Sequence, residues 1–300
     1  MKVLIAGGSG LLGKRITNLL IDQGHQVGWL TRTVKTETQN IKQYHWNPSE
    51  KKVDQEAINQ ADAIINLAGE SIGKIAWTKS GKERILQSRI DSVRLLADAI
   101  GKRPTPLISF VGVSGAGYYG SSTYPKKETD AAGSDFPAMV ASKWESEYHK
   151  IEKAKPEHFA ILRLAVVLSM EGGALPKIVQ PIQWGIGSAL GTGKQPFNWI
   201  HLDDAAYAFT DALFWNGVFN VSAPDPVNNL NLTKTIARRM DKPLFMPSVP
   251  SFVLKLALGD RSALVLEGNI SDLTKLKQNG FTFQFKTIES AIDNLIRPIV

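Results

Sequence analysis

The sequence predicts an α/β fold in which helices cover both faces of a parallel sheet. In the first half, short runs rich in β-forming residues alternate with stretches of helical periodicity, which is typical of such a sheet. Two runs, around Ile64 and Ile161, are apolar on both sides, as in strands buried at the middle of a sheet. The predicted strands are residues 2–6, 26–31, 63–67, 107–112 and 159–164, and the predicted helices are residues 11–23, 79–100 and 138–153.

Composition excludes several classes of protein. The 300 residues contain no Cys, which excludes disulfides and thiolate chemistry and favours a reducing compartment such as the cytoplasm. No apolar run approaches the ~20 residues needed to cross a bilayer, so no membrane partner is expected. The net charge of +7 comes from scattered basic residues, which indicates a phosphorylated cofactor or substrate rather than nucleic acid. The five His residues lack metal-ligand spacing, which predicts no metal site.

A glycine-rich turn between the first strand and the first helix is the strongest motif. It reads Gly7-Gly8-Ser9-Gly10-Leu11-Leu12-Gly13 and satisfies both G-x-x-G-x-x-G and G-x-G-x-x-G. Glycines let the backbone approach a pyrophosphate, and the next helix presents free N–H groups and its positive dipole end. The turn therefore predicts a Rossmann-type dinucleotide site at residues 7–13, against the alternative of a βα turn that binds nothing.

The end of the second strand favours NADP over NAD. A site for NAD is expected to carry Asp or Glu there to bond the ribose 2′-hydroxyl. This sequence has Thr31 and Arg32 instead, and a guanidinium suits a 2′-phosphate. An Arg exposed on a loop without a ligand is the alternative.

The second half predicts a smaller module beside the nucleotide domain. After about Ser169 a region marked by Gly and Pro extends to residue 198, followed by a helix at 203–215 and a strand at 218–221. We predict an NADP-binding domain over residues 1–168, to which the strand and helix near 203–221 return. Residues 169–300 are predicted to form a substrate-side and C-terminal module.

Several phrases along the chain resemble one family. They are residues 66–72 (NLAGESI), 88–90 (SRI), 115–120 (GAGYYG), 143–145 (KWE), 172–175 (GGAL), 199–201 (WIH) and 223–227 (APDPV). Together they resemble the atypical extended short-chain dehydrogenases/reductases called the epimerase family, over nearly the whole chain. The resemblance implies an extended Rossmann domain, a small C-terminal α/β substrate module, NADP(H) as cofactor and a poorly defined substrate.

The resemblance also implies cofactor contacts. The pyrophosphate would be held by Gly7, Gly10, Leu12 and Gly13, and the 2′-phosphate would lie at Thr31 and Arg32. Further contacts, from the ribose to the nicotinamide, would come from Leu67, Ala68, Gly69, Arg89 and Val167. For Leu67, Ala68 and Val167, ordinary packing in the sheet is an equal alternative.

The usual proton-transfer residue of short-chain dehydrogenases is absent. Enzymes that this chain resembles combine Ser or Thr with Tyr-x-x-x-Lys, which stacks Tyr and Lys on one helix face so that the ammonium lowers the phenol pKa. Here Lys143 takes the lysine position, but Met139 stands where the tyrosine would be. Lys143 is expected to bond the nicotinamide ribose, or else to be a solvated helix lysine.

Four side chains are candidates to take over the chemistry of the missing tyrosine. Ser114 follows the predicted strand at residues 107–112, at the family's serine position, and is expected to bond a substrate oxygen. Tyr118 and Tyr119 lie on the next loop, where a tyrosine is more often structural. Glu70 sits at a strand end facing the presumed cleft; it would act as a base if burial raised its pKa, and a capping or salt-bridged role is the alternative.

Other polar and aromatic residues are interpreted as structural or substrate-facing. His201 is interpreted as structural, with Asp203 and Asp204 as N-cap and first-turn acids of the next helix. A further set lies in the half expected to close over the cofactor, where its members would bind a planar or sugar-like substrate or simply pack: Trp184, Gln195, Phe197, Asn198 and Trp199.

Two classes of function follow. The first is an NADP(H)-dependent oxidoreductase or epimerase acting on a small carbonyl or a nucleotide-linked sugar. The second is a non-catalytic NADP(H) sensor that regulates a partner, which Met139 favours. The enzyme is preferred because the substrate half of the chain is retained, and the sequence is compatible with an oligomer.

Overall fold

The centre of the molecule is an eight-stranded sheet. The computed structural model describes residues 1–34 and 41–296, so the last four residues of the predicted C-terminal module lie outside the described ranges. The strands are β1 (Lys2–Ala6), β2 (Gln26–Thr31), β3 (Lys42–Asn47), β4 (Lys52–Val53), β5 (Ala63–Asn66), β6 (Ser109–Gly115), β7 (His158–Leu164) and β8 (Gly217–Val221). Their spatial order is β8-β7-β6-β5-β1-β2-β3-β4, and every pair is parallel except β3 with β4.

The strand order places a ligand crevice beside β1. From β1 the chain builds outward through β2 and β3 on one side, and through β5, β6, β7 and β8 on the other. Ligands of open α/β sheets bind at the carboxyl ends of the strands, where the direction of building reverses. In this sheet that point lies between β1 and β5.

Helices cover both faces of the sheet, which confirms the predicted doubly wound Rossmann-type fold. The helices are α1 (Leu11–Asp22), α2 (Gln55–Gln60), α3 (Lys79–Ile100), α4 (Phe136–Glu152), α5 (Leu175–Gln183), α6 (Leu202–Asp211), α7 (Asn229–Arg239), α8 (Ser251–Leu258), α9 (Ala263–Leu266), α10 (Thr274–Gln278) and α11 (Ile288–Leu295). On one face, α1 and α6 bury residues such as Ile16 and Phe209 against the sheet. On the other, α3 and α4 bury residues such as Val93 and Tyr148.

Local sequence explains where the two helices nearest the crevice begin. Helix α1 buries Ile16, Leu19 and Leu20, whose spacing forms one helical face. Helix α4 begins after Asp135, whose carboxylate accepts a hydrogen bond from the Ala138 N–H at 2.8 Å. Both helix starts therefore lie at the carboxyl edge of the sheet.

The C-terminal part builds a second core. Helices α5, α7 and α11 pack around a cluster that includes Val179, Ile236 and Ile292. Two short ladders fasten this part to the rest, Pro125–Lys126 with Ile270–Ser271 and Val166–Leu168 with Trp199–His201. A third ladder lies within the C-terminal part, Pro196–Phe197 with Val227–Asn228. Strand β8, from the second half of the chain, lies at the edge of the large sheet. The division into two domains at residue 168 stays a prediction.

Several observed elements were not predicted, among them β4, α2 and α5, the last within the region marked by Gly and Pro. Strand β3 was not predicted, and the predicted helix at 203–215 ends at Asp211 and continues as a 3₁₀ turn, Ala212–Phe214. Strand β6 begins two residues later and ends three residues later than predicted. Over residues 1–34 and 41–296, no helix combines the length and the apolar composition needed to cross a membrane.

Candidate cofactor and catalytic site

The glycine-rich turn lies at the carboxyl end of β1, where the fold places its crevice. Gly10 is the N-cap of α1 and has no side chain to bond the N–H groups of the first helical turn. The turn is closed by a hydrogen bond of 3.0 Å from the Gly10 N–H to the Gly7 carbonyl. Free N–H groups and the helix dipole therefore point out of the turn, as a bound pyrophosphate requires.

Two of the glycines are required by geometry. Gly7 has φ +85°, a backbone conformation that residues with a side chain rarely adopt. A Cβ on Gly13 would lie 2.4 Å from the Gly7 carbonyl oxygen and 2.7 Å from the Gly8 Cα, so the helix could not pack this close to the turn. The absence of side chains at these positions leaves a concave backbone surface, which fits a pyrophosphate.

The end of β2 presents a cation and no carboxylate. Thr31 is half-buried and its hydroxyl donates to the Thr33 carbonyl at 3.1 Å, whereas Arg32 is exposed. Trp29, two residues earlier, is held in place because its indole N–H donates to Thr17 Oγ1 at 2.9 Å. Since β2 is next to β1, Arg32 follows the strand beside the turn, and its exposed guanidinium suits a phosphate.

The segment after β5 forms the opposite wall. The Leu67 N–H donates to the Ala6 carbonyl at 2.8 Å, and the Ala68 N–H donates to Asn66 Oδ1 at 3.1 Å. Gly69 lies against Arg89, since a Cβ on it would be 3.2 Å from the Arg89 Cγ. These bonds fix the backbone of residues 67–69 at the edge of the crevice.

Arg89 supports this wall through its guanidinium. Its Nη1 donates to the carbonyls of Glu70 and Ile85, both at 2.9 Å, and its Cζ lies 4.9 Å from the centre of the Trp144 ring. Burial lowers the pKa of Arg89 to about 10, against the opposing charges of Tyr148 and Glu70. Arg89 therefore holds the backbone at residues 69–70 in place. Its contact with the cofactor stays a prediction.

Helix α4 carries Met139 and Lys143 one turn apart on one face. Met139 is half-buried and packs in an apolar cluster that includes Trp77 and Val140. Lys143 is exposed. The face that would hold Tyr and Lys in an ordinary short-chain dehydrogenase therefore offers a thioether and a solvent-facing ammonium, with no proton donor one turn before the lysine.

A buried polar network that sequence reasoning missed lies beneath the crevice. The Ser114 hydroxyl donates to Glu145 Oε1 at 2.6 Å, and Arg163 donates to both carboxylate oxygens, at 2.9 and 2.8 Å. The Arg163 and Glu145 side chains are only 4% and 9% exposed. Burial alone would lower the pKa of Arg163, but the hydrogen bonds and charge of Glu145 outweigh it and raise the pKa. The pair is charged and holds the serine in one orientation.

The two tyrosines of the next loop differ in their environment. Tyr119 is buried; its hydroxyl donates to Asn220 Oδ1 at 2.6 Å and accepts from Arg163 Nη1 at 2.8 Å. Burial raises the pKa of Tyr119 to about 12, although Arg163 and Asn220 oppose the change. Tyr118 is half-buried, and its ring stacks on Arg163 with 3.4 Å between Cζ and the ring centre. Tyr119 is thus committed to the network, and Tyr118 has the more accessible phenol.

The remaining catalytic candidates also occupy defined places. Ser114 is 2% exposed and its proton is directed at Glu145, so its oxygen offers lone pairs to a neighbour. Glu70 is 40% exposed and lies 3.9 Å from Arg84. Glu70 was expected to act as a base only if it were buried, and it is not. Its ion pair with Arg84 is the salt-bridged role given as the alternative.

The polar residues of the second half have structural partners. His201 caps α6 by accepting the Asp203 N–H at 3.0 Å and stacks on Phe285 at 3.8 Å, and burial lowers its pKa. The predicted N-cap role of Asp203 was therefore wrong, because the imidazole occupies that position. In the substrate-facing set, Trp199 is buried whereas Trp184 is exposed.

A cavity of about 270 Å³ opens beyond β8, away from the glycine-rich turn. Its lining includes Phe197, Trp199, Asp225, Asn269 and Lys277. Four strand spacings separate β8 from β1, which is roughly 19 Å. The cavity is therefore remote from the glycine-rich turn, but it borders the ladder that carries Val167, because Trp199 pairs with Val166.

Fold and turn together define a Rossmann-type protein with a dinucleotide-binding turn at its N-terminus. The family described as "NAD dependent epimerase/dehydratase family" matches residues 3–222, and a "domain of unknown function" matches residues 249–295. The chain belongs to the NAD dependent epimerase/dehydratase family. The predicted resemblance to atypical extended short-chain dehydrogenases/reductases is confirmed.

Individual relatives resemble the chain over nearly its whole length. Epimerase family protein YfhF of Bacillus subtilis is 37% identical, covering 99% of this chain and 98% of that protein. The crystal structure of human epimerase family protein SDR39U1 (isoform 2) with NADPH is 30% identical, with a TM-score of 0.86, covering 98% and 99% of the two chains. A nucleoside-diphosphate sugar epimerase from Corynebacterium glutamicum is 27% identical, with a TM-score of 0.78; the match covers 98% of this chain and 58% of that one.

Proposed function

We propose that the protein is an NADP(H)-dependent oxidoreductase or epimerase acting on a small carbonyl or nucleotide-sugar-like substrate. The observation that carries the proposal is the uncapped N-terminus of α1 behind the glycine turn, with Arg32 and no carboxylate at the end of β2. The NADPH in the human relative's crystal structure supports the cofactor, and the sugar epimerase relative supports the substrate class. The absence of Cys supports a reducing, cytoplasmic location.

Each part of the crevice has a task in this proposal. The first-turn N–H groups of α1 bind the pyrophosphate, and Arg32 binds the 2′-phosphate. Leu67, Ala68, Gly69 and Val167 line the path to the nicotinamide, and Lys143 bonds the nicotinamide ribose. When bound, the nicotinamide supplies hydride transfer; the side chains around it must orient the substrate and move one proton.

Ser114 and Tyr118 are the residues that we assign to the substrate. The Ser114 proton is directed at Glu145, which supports assigning the Ser114 oxygen as acceptor of a hydrogen bond from a substrate hydroxyl. Tyr118, stacked on Arg163, has the accessible phenol and is assigned the proton transfer that Met139 cannot perform. Tyr119 and Glu145 position these two groups, and Glu70 is assigned no chemical step.

The direct test is turnover. Purified protein with NADPH is mixed with carbonyl compounds, and protein with either redox form of the cofactor is mixed with nucleotide sugars; nicotinamide absorbance and products are followed together. Product formed over several turnovers supports the enzyme. Tight NADPH binding without product across the whole panel contradicts it.

The alternative is a non-catalytic NADP(H) sensor, which Met139 favours. A sensor must bind the two redox forms differently or change shape between them. Protection of amide hydrogens from exchange, compared between NADP⁺ and NADPH, tests this. Identical protection with both forms removes the reason to propose a sensor.

Replacing Arg32 with Ala is expected to weaken NADPH binding by about 1.5–3 kcal/mol, the usual worth of a hydrogen bond to a charged group. NADH affinity should stay the same, because NADH lacks the 2′-phosphate. Arg32 is exposed, so folding is not at risk. Titration of wild type and variant with both cofactors measures this, and an equal loss for NADPH and NADH would contradict the assignment.

Replacing Tyr118 with Phe is expected to lower kcat by about a hundredfold or more, the usual contribution of general acid–base catalysis. Tyr119→Phe is the matched control. Because Tyr119 only positions the reacting groups, this substitution should lower kcat much less than Tyr118→Phe, but it should destabilise the fold by about 1–3 kcal/mol, since it leaves buried partners of the hydroxyl unsatisfied. Steady-state kinetics and urea unfolding separate the two effects, and a kcat loss confined to Tyr119→Phe would reverse the assignment.

A further inference from the structure

A concentration of exposed apolar side chains marks one surface of the C-terminal part. Phe252 and Leu256, on α8, are 71% and 88% exposed, and Phe245 and Trp184 are 70% and 66% exposed. We define the α8 face as these four residues together with Ile186, Met246 and Val253. Its seven members are nearly half of the large apolar side chains that are exposed in the described part of the chain. Scattered exposed apolar residues are ordinary, but a concentration of this kind indicates a binding surface.

Hydrogen bonds join the two segments that carry this face. The Ser188 hydroxyl donates to the Pro247 carbonyl at 2.5 Å, and the Gly191 N–H donates to the Val249 carbonyl at 2.9 Å. Residues 184–191 and 245–253 are therefore neighbours, so the exposed apolar residues of both segments belong to one region of the surface. Of the eight residues of α8, all of which the structure describes, Leu254 alone is buried.

The two segments that carry the face contain cations and no carboxylates, and the nearest acid after α8, Asp260, is paired with Lys82 at 2.6 Å. No carboxylate side chain occurs between Glu171 and Asp203, or between Asp241 and Asp260, in a chain that has 28 Asp and Glu among 300 residues. The same two segments carry the exposed cations Lys177, Lys194 and Lys255. Lys255 lies three residues after Phe252 and one before Leu256, on the outer side of the helix. An apolar face with cations and no anions is complementary to an anionic partner.

We propose that the α8 face binds the surface of a membrane that contains anionic lipids. Helix α8 would lie in the interfacial plane, with Phe252 and Leu256 entering the acyl boundary and Lys255 at the head groups. Each cation near such a surface adds to the attraction, and the net charge of +7 acts in the same direction. Contact of this kind needs no membrane-spanning helix.

The charge pattern favours lipid over a second copy of the chain. Around a twofold axis, like surfaces meet like surfaces. The cations on the segments that carry the α8 face would then be brought towards their own copies, and these segments have no carboxylate to pair with them. Anionic head groups remove that repulsion.

Co-sedimentation with vesicles tests the proposal. The full chain is mixed with vesicles of phosphatidylcholine alone or with phosphatidylglycerol added, at low and high salt. Binding is expected only with phosphatidylglycerol and should fall with salt. The double variant Phe252→Ser/Leu256→Ser should bind about tenfold more weakly or worse, because its apolar contact is lost. Lys255→Glu should bind about tenfold more weakly or worse, because its charge changes by two.

Matched controls separate lipid binding from other effects. Phe214→Ser removes an aromatic side chain that is 59% exposed beside His158, outside the α8 face, and should bind like wild type. Thermal unfolding should be the same for all variants, since the altered side chains are exposed. Equal binding of wild type and double variant, binding that ignores phosphatidylglycerol, or no binding at low salt overturns the proposal. So does a dimer that the double variant abolishes, because a second copy would then cover the face.

Discussion

Replacing Glu145 with Ala is expected to lower the free energy of unfolding by about 3–5 kcal/mol, the usual cost of breaking a buried ion pair. The change leaves the Arg163 guanidinium charged and 4% exposed, without the carboxylate that accepts two of its hydrogen bonds. It also removes the acceptor of the Ser114 hydroxyl. Urea unfolding followed by circular dichroism measures the change.

Glu147 supplies the matched control on the same helix. It pairs with Arg94 at 2.7 Å and Lys150 at 2.6 Å, and both of these cations are about half exposed. The hydrogen bond from Arg94 lowers the pKa of Glu147. The Glu147 side chain is 12% exposed, but ion pairs whose cations reach solvent contribute little, so Glu147→Ala should cost about 1 kcal/mol or less. A loss of about 1 kcal/mol or less for both substitutions would show that the network beneath the crevice does not stabilise the fold.

Replacing Gly13 with Ala is expected to weaken NADPH binding by about a hundredfold, or about 2.7 kcal/mol. The added Cβ would meet the Gly7 carbonyl oxygen at 2.4 Å, so the turn and the start of α1 must separate. The N–H groups that hold the pyrophosphate then lose their common direction. Fluorescence titration with NADPH measures the affinity.

Gly73→Ala is the control for this substitution, because a Cβ there would have no atom within 4 Å. It should bind NADPH like wild type. Circular dichroism of both variants shows whether the fold is retained. A folded Gly13→Ala protein that binds NADPH as tightly as wild type would show that the turn does not hold the cofactor.

The fold was predictable where sequence signals are local. The Gly7–Gly13 turn and the apolar strands around it lie within one βα unit, so spacing and periodicity suffice to find them. Strand β3 was missed because its sequence, KQYHWN, has no aliphatic run, although residues 43–47 alternate between polar and aromatic side chains. It forms because β2 offers a free edge, which is a tertiary property.

The candidate site was predictable only in its cofactor half. Glu145 and Arg163 come from α4 and β7, and only the folded chain brings them together. One signal was available: Arg163 interrupts the apolar run Ile161-Leu162-Arg163-Leu164, and a charge inside a buried strand needs a buried partner. Sequence cannot name that partner, so the different environments of Tyr118 and Tyr119 emerged only from the structure.

The most direct test of the proposed cofactor site is calorimetric titration of the wild-type protein with NADPH and with NADH. The account predicts one site per chain, with NADPH bound at least about tenfold more tightly because Arg32 meets the 2′-phosphate. Equal affinities, a preference for NADH, or no binding of either cofactor would contradict it.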